Sequence, residues 1–576
     1  MMNKRVVYKF IFRYKRDIFI IVFLTLFSSI FFLAAPYFSK LFIDKAFISK
    51  NLINFFKLSI ISALVFISTT LIRIYSDIIK NKIAIKLRLN LTKQFITKFY
   101  LIDFEFFQSH SIGENVYRLT DIESVIDFLL EHCPQILVDI FKFGIILVIS
   151  FWLNFQMTIF LLMLSPLFLL QSVYLQRKLN PIYEKMWKFN SKLSKQIYEA
   201  FSKILIIKAL GLESFQKRKY LKSLIENLRW RIKSFRWSII SSVTSAFLSK
   251  AVYGLITLYG GWLIIKGRLS LGSYTAAMIY LTQIGALLSS FSMRVEFISR
   301  EIVSLEKFLE VIEHVPKLKD VTENKPLTDL RGAIYFKNVY FGYEKEKMLF
   351  QDLNLVIPLS LWVAIVGASG SGKTTLINLI LRLYQPCRGQ ILIDDKDLRL
   401  IALKSLREKI AIATQQPLLF DVSIQENISF GLKNISQYEI EEAAKIACVH
   451  DFIMQLPDGY DTMIGEDACR LSHGLKQRIA LARAIARKPQ LLILDEATSS
   501  VDSLTEENIL SMLRQKRSGL STIIISHRLF SIRNADRIFF LNPEGRFEEG
   551  NHQELFSKSV FYRDFFNNQI EEIERV

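Results

Sequence analysis

Four side chains, Lys373, Thr374, Asp495 and Glu496, are of the types that handle a magnesium nucleotide, and the residues around them have the spacing to present them. In "VAIVGASGSGKTTLINLIL" an apolar strand runs into Gly367. Ala368, Ser369, Gly370 and Ser371 follow, and then Gly372, Lys373, Thr374 and Thr375 open a helix, in the pattern G-x-x-x-x-G-K-T. Backbone N–H groups of such a loop wrap phosphate oxygens, the lysine reaches the outer phosphates, and the hydroxyl holds magnesium. Further along, "LLILDE" closes a second apolar strand with Asp495 and Glu496. A magnesium nucleotide needs a carboxylate on the metal side, and hydrolysis needs a group that positions or deprotonates water. Asp495 suits the first task and Glu496 the second. Alone, one motif could be a glycine-rich turn and the other a solvated strand end; together they make a site.

A third stretch, "CRLSHGLKQR", nearly spells another phosphate-binding element. Ser472 and Gly474 are in place. His473, however, stands where a glycine is expected, and Leu475 where a polar amide is.

The elements that must carry these residues belong to a large chain. Its 576 residues, 51% hydrophobic and 13% aromatic, exceed what one core organises. A net charge of +20 in a soluble protein would suggest nucleic acid. Its distribution argues against that partner. Arg177, Lys178, Lys217, Arg218, Lys219, Arg229, Arg231 and Arg236 lie between long apolar runs, as in a cytoplasmic loop of a membrane protein. Four scattered cysteines indicate neither a zinc site nor a disulfide framework.

Six apolar stretches are long enough to span a bilayer: Ile18 to Lys40, Asn54 to Asp77, Phe128 to Leu153, Phe155 to Leu175, Val243 to Ile265 and Tyr274 to Phe297. The first alone could pass for a signal peptide, but five more follow it. Ahead of it, "VVYKFIFRYKR" suits a short interfacial helix within 1–16. Basic residues crowd the connections at 78–127 and 176–242, which places both termini in the cytoplasm. Apolar recurrence every three to four positions, as in "SKLSKQIYEAFSKILIIKAL", predicts that these connections prolong the membrane helices. The expected domains are therefore a membrane domain over 17–309, a polar linker over 310–332 and an α/β domain over 333–576.

With these features in place, the whole chain resembles an exporter-type ABC half-transporter: a six-helix membrane domain fused to an α/β nucleotide-binding domain of the P-loop type. The resemblance implies ATP and magnesium as ligands. It makes Tyr343, in "YFGYEKE", the residue that stacks on adenine. Gln415, in "IATQQPLLF", would meet magnesium with Thr374 and Asp495, and His527, in "IIISHRL", would contact the terminal phosphate. Asp502, in "SSVD", would lie in a loop that crosses the dimer. "FEFFQSHSIGENVYRLTDIESV" and "KALGLESFQKRKY" resemble the two cytoplasmic coupling segments, centred on His110 to Val116 and Gly211 to Lys217.

In that family the third stretch reads L-S-G-G-Q and closes over the nucleotide held by the partner subunit. His473, Leu475 and the upstream Ala468 depart from it. Intact Lys373, Asp495, Glu496 and His527 favour a hydrolysing exporter or lipid translocator over a sensor without turnover. A homodimer would carry the altered element at both ATP sites, so a second, different half-transporter is the favoured partner. For cargo, Asp139 and Lys142 lie within the third span, either lining a cavity or forming an i, i+3 pair. Lys250 and Arg294 lie nearer the inner surface, within snorkelling reach. A small amphipathic compound or peptide is the expected cargo, and a lipid the alternative.

Overall fold

The computed structural model describes residues 12–314 apart from 13 and 154, and 327–574 apart from 328, 331, 345, 346, 369 and 466–470. Most of the interfacial helix expected within 1–16 and of the linker at 310–332 lies outside the described residues, as do Ser369 and Ala468. The chain divides into two compact units, Met1–Val315 and Pro316–Val576.

The first unit is all helix: α1 (Lys15–Phe42), α2 (Leu52–Phe99), α3 (Ile112–Asp127), α4 (Cys133–Leu153), α5 (Phe155–Ser202), α6 (Glu213–Ile265) and α7 (Leu271–Ile312). A π turn at Phe128–His132 joins α3 to α4 as one continuous rod. With 48, 48 and 53 residues, α2, α5 and α6 far outrun a bilayer core that about 20 residues can cross. The basic connections are thus helical continuations, as their periodicity predicts. Among the described residues five helices are long and apolar enough to cross a membrane, and α5, which carries the span expected at Phe155 to Leu175, is not among those five. Within the apolar window of α2 nothing is buried, which leaves a surface suited to lipid or to a second chain. Asn51 and Ser270 start α2 and α7 by accepting from the N–H groups of Asn54 and Ser273. Asp44, in the π turn Ile43–Phe47 that continues α1, reaches α7, accepting from the Ser270 hydroxyl and the Gly272 N–H at 3.1 Å each.

The intramembrane charges are arranged otherwise than the sequence suggests. Asp139 does not pair with Lys142 along α4. Its carboxylate accepts from Arg294 Nε on α7 at 2.8 Å and from Gln135 Nε2 at 3.0 Å. A guanidinium on a facing helix meets the carboxylate directly, whereas a lysine at i+3 must fold back along its own helix. Arg294 is therefore tied inside the bundle and does not snorkel to the inner surface. Lys250 lines a cavity of about 490 Å³ between α6 and α7, together with Ser245, Ser249, Met278 and Met293.

In the second unit the strands are β1 (Ala333–Phe341), β2 (Phe350–Pro358), β3 (Trp362–Gly367), β4 (Arg388–Ile393), β5 (Lys396–Asp397), β6 (Ile410–Ala413), β7 (Leu491–Asp495), β8 (Ser521–Ile525), β9 (Arg537–Leu541) and β10 (Phe547–Gly550). An antiparallel sheet has the order β2-β1-β4-β5, and a second sheet the order β10-β9-β3-β8-β7-β6. In the second sheet β9, β3, β8, β7 and β6 run parallel. β3, β7 and β8 are buried along their whole length, which is why they read as unbroken apolar runs. β8 lies between β3 and β7, with Asp495 in register with Ile525 and Ile365 with the same residue on the other side. Gly367, Asp495 and Ser526 therefore emerge at one edge, the place where open α/β sheets receive ligands.

Candidate nucleotide site

At that edge β3 turns into α8 (Lys373–Ile380) through Gly367 to Gly372. Gly372 has φ +111°, and a Cβ there would meet the Phe350 ring at 2.9 Å, so the loop closes only on glycine. Lys373 is buried and donates to the carbonyls of Gly367 and Ala368 at 2.8 Å, so its ammonium lies inside the loop. Burial lowers its pKa, and the charges of Glu496 and Asp495 oppose that shift. Ser371 Oγ is buried with no hydrogen-bond partner among the described residues, an unmet polar group in a loop built for phosphate.

The metal side forms where β7 ends beside α8. Thr374 Oγ1 lies 3.4 Å from Asp495 Oδ2. Burial raises the Asp495 pKa, the Glu496 charge raises it further, and the Thr374 hydroxyl opposes both. A hydroxyl and a carboxylate side by side are hard oxygen donors of the kind magnesium takes. Glu496, one residue beyond the strand, has φ +49°, a costly conformation for a side-chain-bearing residue. It turns the carboxylate toward Gln415 Nε2 at 2.5 Å and His527 Nε2 at 3.1 Å. Burial lowers the His527 pKa, and the Lys373 charge lowers it further against the pull of Glu496. Residues far apart in sequence thus converge on one carboxylate.

Tyr343 follows β1 and is half exposed. Its hydroxyl lies 2.9 Å from Thr375 Oγ1, and its ring stands edge-on to Phe341 and Tyr384. One aromatic residue is thereby fixed beside the start of α8.

The altered element begins α9 (His473–Ala486). Ser472 caps it, accepting from the Leu475 N–H at 3.3 Å, and Ser472 and His473 are both exposed. A Cβ on Gly474 would meet the Ser500 carbonyl oxygen at 2.8 Å, so this glycine is held by packing within its own chain. Leu475 packs against the core under the helix. That contact supplies a structural reason for an apolar side chain where a polar amide is expected. Asp502 caps α10 (Ser503–Lys516), accepting from the Thr505 N–H at 2.9 Å.

Gln477 was not singled out by its sequence position, yet it joins these parts. It is 1% exposed. Its Nε2 donates to the Gln415 carbonyl and to Ser499 Oγ at 3.1 Å each, and its Oε1 accepts from the Ser500 N–H at 3.0 Å. Arg528 braces the same loop through the Ser499 carbonyl at 2.8 Å. A signal was available for Gln477: it falls on the helix face that the apolar pattern of "RIALARAIA" buries, and a buried amide must be satisfied.

With this geometry described, two family models match: the ABC transporter transmembrane region over residues 18–288 and the ABC transporter domain over residues 350–499. An ATP-dependent lipid A-core flippase of Syntrophus aciditrophicus is 31% identical, over 95% of this chain and 90% of that one. An uncharacterized ABC transporter ATP-binding protein of Bacillus subtilis is 30% identical, over 83% of this chain and 84% of that one. A solved structure of a bacterial Atm1-family ABC exporter with ATP bound superposes with a TM-score of 0.87 at 26% identity, covering 96% of this chain and 99% of that one. Membrane helices, phosphate loop and relatives all lead to one assignment: this membrane protein belongs to the ABC transporter family, as an exporter-type half-transporter that binds and hydrolyses ATP.

Proposed function

We propose that the chain is one half of a heterodimeric, magnesium-dependent exporter that moves a small amphipathic compound or peptide across a bacterial inner or plasma membrane, with both termini and the nucleotide-binding domain cytoplasmic. The observation that carries the reading is the convergence of Gln415 and His527 on Glu496, beside Thr374 and Asp495. Glu496 would orient or deprotonate water, and His527 would contact the terminal phosphate. Lys373, inside the loop, would neutralise phosphate charge. Thr374, Asp495 and Gln415 would hold magnesium, which supplies Lewis-acid charge at the phosphate oxygens. Tyr343 would carry the adenine, and Ser472, His473 and Gly474 would face the partner's nucleotide.

The heterodimer reading rests on contrast within the chain: a full hydrolytic set stands beside a partner-facing element bearing His473. A partner with an unaltered element would complete the site on this chain. Translocation of a lipid is the second reading, and the flippase relative favours it. Reconstituting the chain alone, and measuring hydrolysis against lipids, peptides and hydrophobic drugs, tests both. The expected outcome is weak turnover without a partner, with stimulation by peptides or drugs. A stable homodimer with full stimulated turnover would overturn the heterodimer, and stimulation by lipids alone would select the second reading.

A further inference from the structure

Arg118 has 0% exposure, the largest of the fully buried side chains among the described residues, and no role has been given to it above. It projects from α3, just past His110 to Val116, the centre of the first coupling segment. One terminal nitrogen, Nη2, donates to Glu114 Oε1 on the same helix at 3.1 Å. The other, Nη1, crosses to α7, donating to Glu310 Oε2 at 3.0 Å and to the Lys307 carbonyl at 3.4 Å. The guanidinium plane is flanked by Phe106, in the short helix Phe104–Ser109, and by Trp187 of α5, at 5.4 and 5.9 Å from the ring centroids.

Four elements therefore share one cation. Trp187 also donates to Asp121 Oδ2 on α3 at 3.1 Å. From there Tyr117, Asn190 and Asn227 continue the polar chain into α6, which begins at the second coupling segment. Beside it, His314 lies 3.5 Å from Asp103, at the entrance to the first segment.

Stability alone does not call for this arrangement, because apolar residues of similar volume often serve a buried position as well as an ion network does. What a planar fork secures is the relative geometry of the groups it bridges. Glu310 stands at the end of the last membrane helix, a few residues before the chain passes into the nucleotide-binding unit. We propose that Arg118 is a positioning residue for coupling. It locks the first cytoplasmic segment to the exit of the last membrane helix, so that movement delivered through the covalent link and movement delivered to that segment reach the membrane helices as one displacement. Without the lock, nucleotide binding still closes the ATP site, but the outer ends of the helices no longer follow.

The test uses hydrogen–deuterium exchange on the assembled transporter in lipid nanodiscs, with and without ATP, magnesium and vanadate. Residues 367–380 report the nucleotide site, and residues 40–51 and 262–275 report the outer ends. In Arg118→Met the nucleotide-site protection and the basal hydrolysis should persist, while the outer-end response falls about fivefold, the scale on which single residues modulate coupling. Arg118→Lys, which keeps the charge but not the fork, should fall between. Glu310→Gln removes the half-exposed partner and decides the matter if Arg118→Met does not fold. An unchanged outer response in these variants would overturn the proposal. So would a loss shared equally by nucleotide site and outer ends, which is what a merely structural role produces.

Discussion

The phosphate loop and the altered element that begins α9 belong to one domain, yet they are enclosed very differently. Lys373 and Asp495 are 6% and 8% exposed, at the ends of buried parallel strands. Ser472 and His473 stand exposed at the start of a helix. In the first region these two side chains are constrained by their own chain: moving Lys373 would strand a buried cation, and moving Asp495 would break the register with β8. In the second, Gly474 and Leu475 answer to internal packing, and Ser472 answers to the cap of its own helix. An exposed position that faces another molecule can change without disturbing this fold, so its identity carries information about the partner.

The largest test of this contrast removes the group on which the first region converges. Glu496→Gln should lower ATP hydrolysis by about 100-fold or more, the loss expected when a positioned base is removed, while nucleotide binding persists. Hydrolysis at the parent rate would move the base elsewhere and leave the first region without its centre. A smaller effect is expected at the edge of the same region. Tyr343→Ala should weaken nucleotide affinity about tenfold, and Tyr343→Trp should keep most of it, since stacking needs only an aromatic face. Equal affinity in all three proteins, measured by titration with a fluorescent ATP analogue, would place the adenine off this ring. The smallest effect belongs to the second region. In a heterodimer whose other site does most of the hydrolysis, His473→Gly should leave turnover within about twofold of the parent, as exposed substitutions usually do. A large rise would show that the element serves a working site, and the contrast between the two regions would then mark a defect in a homodimer.

Much of this protein is determined by local sequence. Apolar runs of bilayer length, helical periodicity in the basic connections and G-x-x-x-x-G-K-T between a strand and a helix are short-range patterns. Each follows from what a segment of chain must do with its own backbone and solvent. The resemblance they support gave Gln415 to magnesium and His527 to the terminal phosphate, and the structure brings both side chains onto Glu496. The pairings that join distant segments were not legible. Asp139 had a candidate three residues away and took Arg294 from another helix. Arg118 reads as one more cytoplasmic cation, and Gln477 as one more polar residue in a helix. Their partners, Glu310 and the Ser499–Ser500 loop, lie on other elements, and no periodicity encodes which faces of two helices will meet. Tertiary packing decides that, because only the folded chain removes these groups from water and obliges each to find a partner.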